Sequence, residues 1–275
     1  MYRPPHPVIE HLLKRRDKRV PIHDGRKIAL VHFGGVMNGA RGAGALLALQ
    51  ELGLAHAFDS IYGTSAGFAN ACFFLTGDMR VGASVYYEDL CSKEFLNLER
   101  VWDVVNIDYL LRLLREEKSL DYEALSRSTT KLYARLLNLM ERKTEYKLVN
   151  GMSPEELERV IHAAVSLPYL DPGAVEVDHV QYKDAGRVDA EANAVLEDIL
   201  ASDATDILVI YNYYEQFEEL RRAGLLDSPR LYQIVPYAEE HFSRVCTNPR
   251  IVKNAALSMA GIVKSIFGSS ADTEL

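Results

Sequence analysis

The sequence predicts an α/β fold built on a mostly parallel sheet, and three observations carry that prediction. Residues 27–33 and 205–211 are short apolar runs rich in β-branched residues, the pattern of strands buried on both faces. Strand-like and helix-period segments alternate along most of the chain, which favours parallel pairing through helical crossovers. Between them, Gly63-Thr64-Ser65-Ala66-Gly67 reads G-x-S-x-G, with a short strand before it (58–62) and a helix of small and apolar residues after it (68–75). That is the strand–turn–helix setting of a nucleophile elbow, in which the serine hydroxyl is exposed on a sharp turn. The turn brings backbones close together, so Gly63 and Gly67 are the small residues that the geometry demands.

In chain order, residues 7–13 predict a short helix, followed by the basic run Lys14-Arg15-Arg16-Asp17-Lys18-Arg19, read as a solvated helix end and linker. After the first buried strand comes Gly34-Gly35-Val36-Met37-Asn38-Gly39-Ala40-Arg41-Gly42-Ala43-Gly44, a glycine-rich loop leading into a helix over 45–52 with Gly53 as its C-cap. Residues 79–127 read as mostly helical and carry the single tryptophan, Trp102. Ser119 is expected to cap a short helix over 119–125. Two strands follow, over 131–140 and 145–149. Ser153-Pro154-Glu155-Glu156 then starts a helix that runs to Pro168. Residues 175–182 alternate like one strand and lead into Lys183-Asp184-Ala185-Gly186-Arg187. A helix over 190–200, the strand over 205–211, a charged helix over 215–223, a strand over 231–235 and a last helix over 249–267 complete the series.

Composition narrows the functional classes. The 275 residues are 48% hydrophobic and 25% charged, ordinary for a chain that buries a core. The net charge of −8 argues against a general nucleic-acid binder. Three dispersed cysteines, Cys72, Cys91 and Cys246, contain no C-x-x-C pair, so neither a disulfide framework nor a metal site is expected. No secretory signal and no membrane span is expected from the apolar runs. No cofactor is expected either. The glycine loop fails the dinucleotide fingerprint at Leu47 and lacks the Gly-Lys-Ser/Thr of a phosphate loop. Its remaining role is an oxyanion hole, with backbone N–H groups aimed at developing negative charge.

A serine needs a base. A Ser…Asp…His order is available through Asp184 and His241, and a dyad in which Asp184 alone takes the proton is the other choice. His162, among apolar neighbours on a helix, reads as structural. The strand and glycine loop over 29–44, Leu49-Gln50-Glu51-Leu52-Gly53, the elbow, Tyr86-Tyr87-Glu88-Asp89-Leu90, Asn106-Ile107-Asp108-Tyr109-Leu110, Ala164-Val165-Ser166-Leu167-Pro168 and Tyr182-Lys183-Asp184-Ala185-Gly186 together resemble, in order, the bacterial branch of the patatin-like phospholipases. That resemblance implies a three-layer α/β/α fold, a Ser65 nucleophile, Asp184 as general base with no catalytic histidine, and a lipid or acyl-ester substrate. It also implies one α/β domain over 27–268 with a helical cover near 79–127, after a lead-in (1–26) and before a flexible tail (269–275). A cytoplasmic location is expected from the lack of a signal or span, and peripheral membrane contact from the substrate class. The chain departs from the family loop Gly-Gly-Gly-x-Arg/Lys-Gly at Val36 and Asn38, with Asn38 or Arg41 as substitute donors, and has Ala185 for the glycine after the aspartate. These departures raise a rival, a patatin-fold protein that binds lipid or a partner with weak or absent catalysis.

Overall fold

The structure, a computed structural model, describes residues 6–18, 24–100, 104–167, 173–186 and 191–271, with side chains for all of these but 191–193 and 269–271. Trp102, Pro168, Arg187, Ala190, Arg19 and the outer parts of the lead-in and tail lie outside the described residues.

The two apolar runs become β1 (Ile28–His32) and β7 (Asp206–Ile210), paired in parallel at the centre of the sheet with all ten residues buried. Alternation along each strand sorts side chains to two faces. Ile28, Leu30, Leu208 and Ile210 join one core cluster; Ala29, Val31, Ile207 and Val209 join the other. The first cluster takes in α1 (Pro7–Lys14), α2 (Gly39–Glu51), α3 (Ala66–Thr76), α7 (Pro154–Val165) and α10 (Pro249–Ala271). The second takes in α8 (Glu191–Ala201) and α9 (Tyr214–Arg222), so the molecule has three layers.

Beyond β1 the sheet continues in parallel through β2 (Ser60–Thr64) to β3 (Lys131–Asn138), and beyond β7 to β8 (Leu231–Ile234). β4 (Lys143–Leu148), β5 (Val175–Val177) and β6 (Val180–Asp184) add antiparallel pairings. The order is β5-β6-β3-β2-β1-β7-β8, with β4 on β3. The sheet is therefore mixed and mostly parallel.

Four local expectations are corrected. The expected strand over 175–182 is a hairpin, turned by Asp178 (φ 51°) and His179 (φ 63°), the left-handed pair of a two-residue turn, here made without glycine. The short helix α6 (Tyr122–Ser126) is capped by Asp121, which accepts from Ala124 N at 2.8 Å, rather than by Ser119. The stretch from Gly39 to Gly44, read as loop, is the first turns of α2. Gly44 is there because α10 crosses at that point: a Cβ would lie 2.0 Å from the Ala256 carbonyl oxygen. The basic run is solvated at Lys14, Asp17 and Lys18, as expected, but not at Arg15. Arg15, 1% exposed, donates to Asp24 and Asp59 and to the carbonyls of Ala57 (3.0 Å) and Arg26 (3.0 Å), tying the end of α1 under the sheet.

One helix bears on the expectation of no membrane span without overturning it. The stretch Pro249–Gly268 is, by length and composition alone, apolar enough to cross a membrane, with mean hydropathy 1.2. In the fold its Val252, Ala256, Met259, Val263 and Phe267 are buried as a core stripe.

Candidate active site

Ser65 is the residue between β2 and α3, held at φ 52°, ψ −127°. A non-glycine residue there stores roughly 1–3 kcal/mol of strain and persists only where its surroundings enforce it. The enforcement is visible on both sides. A Cβ on Gly63 would lie 2.5 Å from Phe68 Cα, and one on Gly67 2.3 Å from the His32 carbonyl oxygen. The elbow thus packs onto the end of β1, and only glycines fit. Phe68 N and Ala69 N donate to the Ser65 carbonyl (2.9 and 3.2 Å), which starts α3 directly under the hydroxyl.

Asp184 is carried toward the end of β2 by the pairing around β3. Across β3, Arg135 pairs with Tyr146 of β4 and Leu136 with Glu145, so β4 fills one edge. Arg135 also pairs with Thr64 of β2, and Leu136 with Asp184 of β6. A strand residue has two edges, so β2 and β6 share the remaining edge of β3 and meet end to end. Thr64 and Asp184 stand opposite consecutive residues, about one rise (~3.3 Å) apart along the strand. Asp184 is fully buried; its N–H donates to Ser166 O (3.0 Å) and its Oδ1 accepts from Gly186 N (2.7 Å).

The glycine loop lies on the opposite side of Ser65. A Cβ on Gly34 would lie 2.9 Å from Ser65 Cβ. Gly35 is extended (φ −179°), and Val36–Asn38 forms a 3-10 turn into α2. Val36 takes φ 49°, the conformation that favours glycine, so the loop does demand positive φ at the position where the chain departs from the family pattern. The side chains of Asn38 and Arg41, the expected substitute donors, are engaged with other partners. The Asn38 amide donates to Phe242 O (3.3 Å), while its Oδ1 accepts from Arg41. Arg41, 2% exposed, donates also to Asn212 O (3.1 Å) and Glu240 O and lies 4.5 Å over the Phe242 ring. Burial holds its guanidinium below the usual arginine range, against the nearby Glu240 and Glu215. Both side chains strap the 240–244 segment to the loop, and the Met37 amide completes the strap by donating to Arg244 O at 3.3 Å.

Sequence reasoning missed the polar rail beneath the elbow. Asn70, one turn into α3, donates to Gly39 O (2.9 Å) and to His32 Nε2 (3.1 Å), and its Oδ1 accepts from the Tyr86 hydroxyl (3.0 Å). A carbonyl can only accept, so the Asn70 nitrogen faces both partners and His32 Nε2 is the unprotonated ring nitrogen. Burial pushes the His32 pKa down to about 4, with Ile210 opposing, which agrees with a neutral ring. It missed Asn212 and Gln216 as well, which hold the carbonyl of Gly34 at 3.1 and 3.3 Å. The available signal was position: His32 and Asn212 lie at the C-terminal ends of central strands, where α/β sheets place their sites.

Ser65 opens onto an apolar pocket that is partly open to solvent. Its walls come from the loop (Val36, Met37), α3 (Ala69, Phe73) and the segment 79–127, including Leu90, Phe95, Leu110 and Leu114. His241 does not line it; that side chain is exposed and sits 3.9 Å from Glu215. His162 is half-buried on α7. Among the described residues no group of three or more His, Cys, Asp or Glu is placed to hold a metal ion.

A strained serine at a strand-to-helix turn, a glycine loop beside it and a parallel sheet beneath are the architecture of α/β serine hydrolases. The chain belongs to the patatin-like phospholipase family, whose model matches residues 30–195, more than half of its length. Its fold is similar to that of VipD from Legionella pneumophila (TM-score 0.52, 13% identity, 87% of this chain and 67% of that one). A solved complex of SpcU with ExoU from Pseudomonas aeruginosa also matches (TM-score 0.39, 14% identity, 88% of this chain and 53% of that one). The chain thus spans about two thirds of the first and about half of the second. A search of curated proteins finds no match. The family match supports a lipase- or phospholipase-type hydrolase at family level.

Proposed function

We propose that the chain is a serine acyl hydrolase that cleaves lipid acyl esters through a Ser65–Asp184 dyad. The observation that carries this is the shared edge of β3, which delivers Asp184 to the end of β2 where Ser65 turns out into the apolar pocket. Ser65 Oγ attacks the ester carbonyl carbon and passes its proton to Asp184. The carbonyl π pair moves onto oxygen, then returns to expel the alcohol, which takes the proton back from Asp184. Water, deprotonated by the same carboxylate, releases the acid from Ser65. Oxyanion donors are backbone amides of the 34–39 loop and Ala66, the first amide of α3, whose helical position leaves it without an intrahelical acceptor. Among the described residues the pocket has no charged wall, which suits an acyl chain rather than a polar headgroup. Peripheral membrane contact belongs to this proposal through the substrate, and a cytoplasmic location is proposed alongside it.

The rival, lipid binding without catalysis, is favoured by one observation: Met37 gives its amide to Arg244 O, removing one loop donor. Hydrolysis of short- and long-chain p-nitrophenyl esters by the unaltered protein, Ser65→Ala, Asp184→Asn and His241→Ala separates the readings. Turnover is expected in the unaltered protein and His241→Ala, and its loss in the other two. Fatty-acid binding with no Ser65-dependent turnover supports the rival instead.

A further inference from the structure

Gly34 and Gly35 leave the end of β1, with the end of β2 on one side and the end of β7 on the other. On the β2 side Gly34 packs against Ser65; a Cβ there would lie 3.5 Å from Oγ. From the β7 side two side-chain amides hold the Gly34 carbonyl, Asn212 Nδ2 at 3.1 Å and Gln216 Nε2 at 3.3 Å. The peptide is trans, so its C=O and N–H point in opposite directions. A carbonyl anchored toward β7 sends the Gly35 N–H toward Ser65. Of the loop amides, Asn38 N donates to Gly35 O (3.0 Å) and Met37 N to Arg244 O; the Gly35 amide has no acceptor among the described residues.

We propose that Asn212 and Gln216 are positioning residues that aim the Gly35 amide as an oxyanion donor, a role that rests on the hydrolase reading above. Neither side chain is free to turn. Asn212 is fully buried, its Oδ1 accepts from Gly42 N (3.0 Å), and its nitrogen also donates to Phe33 O (2.6 Å). A flipped amide would set oxygen against two carbonyls. Gln216 Oε1 accepts from the amides of Asn212 (3.0 Å) and Tyr213 (3.3 Å), which leaves its nitrogen for Gly34. The two therefore form a brace from α9 and the end of β7 to the peptide that faces the tetrahedral oxygen. Losing an oxyanion donor outright costs about 10²–10³ in rate, so losing one of its two supports should cost about tenfold.

Gln216→Glu isolates the effect, because Oε1 still caps the first turn of α9 while the donor to Gly34 is replaced by an acceptor. Gln216→Met removes the donor without adding charge. The measurements are kcat and KM on a p-nitrophenyl ester, inhibition by an alkyl trifluoromethyl ketone, which forms an oxyanion on the serine, and binding of the corresponding fatty acid. The expected result is kcat down about tenfold in both variants with KM and fatty-acid binding unchanged, and ketone affinity reduced by the same factor. Unchanged kcat in the presence of Ser65-dependent turnover overturns the positioning role alone, as does a fall in kcat with ketone affinity intact. No Ser65-dependent turnover in the unaltered protein overturns the hydrolase reading and this role with it.

Discussion

His32 is a buried neutral imidazole whose Nε2 accepts from Asn70, in the rail that ties α3 to the start of α2. Its pKa falls from 6.5 to about 4 because burial disfavours the cation. Between those values the unfolded chain binds a proton that the folded chain refuses. The stabilising contribution is therefore complete above pH 6.5 and shrinks as pH falls toward 4, by roughly 3 kcal/mol in all. Urea unfolding at pH 7 and pH 5 should show the unaltered protein losing about 2 kcal/mol more than His32→Gln, which keeps an acceptor for Asn70. Equal losses would remove His32 as the source. At this scale the sequence reveals reactive types but not their partners. Ser65 announces itself because G-x-S-x-G is a local pattern. Asn70 and His32 stand alone in apolar runs, and nothing local says that they meet each other. Val36 was legible as a misfit in a glycine slot; that the backbone nonetheless takes φ 49° is decided by the loop's anchors at either end.

Glycines in helices α2 and α10 have opposite consequences. A Cβ on Gly44 would press on the backbone oxygen of Ala256, and overpacking of that kind costs about 1–3 kcal/mol. Gly261, on the exposed side of α10, has nothing within 4 Å of a Cβ. Gly44→Ala should lower the unfolding free energy by about 2 kcal/mol, while Gly261→Ala should raise it by about 0.5–1 kcal/mol through helix propensity. Chemical denaturation of the two variants checks both signs. Element types were largely readable because periodicity is local, and the capping box at Ser153 and Glu156 forms as its spacing predicts. Errors fell where tertiary contacts chose between local options. The glycines of the Gly39–Gly44 stretch answer to close neighbours (Tyr86 and Ala66 at Gly39, His32 at Gly42, Ala256 at Gly44) within the first turns of α2, and a left-handed Asp178–His179 pair folded one apparent strand into two.

Across the whole molecule, the proposed pairing of Ser65 with Asp184 depends on register, since β2 and β6 abut along one edge of β3 although the two residues are 119 positions apart in sequence. No local pattern encodes such a meeting; it follows from which strands pair. The sequence offered Asp184 at a strand end as one of two choices, and the family resemblance decided between them. The pocket has the same origin, drawing its walls from the loop, α3, α7 and the 79–127 segment. Ala69 lines it one helical turn beyond the elbow, so Ala69→Phe should cut kcat/KM for long-chain esters about tenfold and leave short-chain esters unchanged. Equal losses on both would mean that the acyl chain lies elsewhere. The dyad itself is tested most directly by the rate at which a fluorophosphonate labels Ser65, read by intact mass and peptide mapping in the unaltered protein, Asp184→Asn and His241→Ala. A single adduct on Ser65 is predicted, slowed at least a hundredfold in Asp184→Asn and unchanged in His241→Ala. Labelling that survives Asp184→Asn but fails in His241→Ala would contradict the dyad.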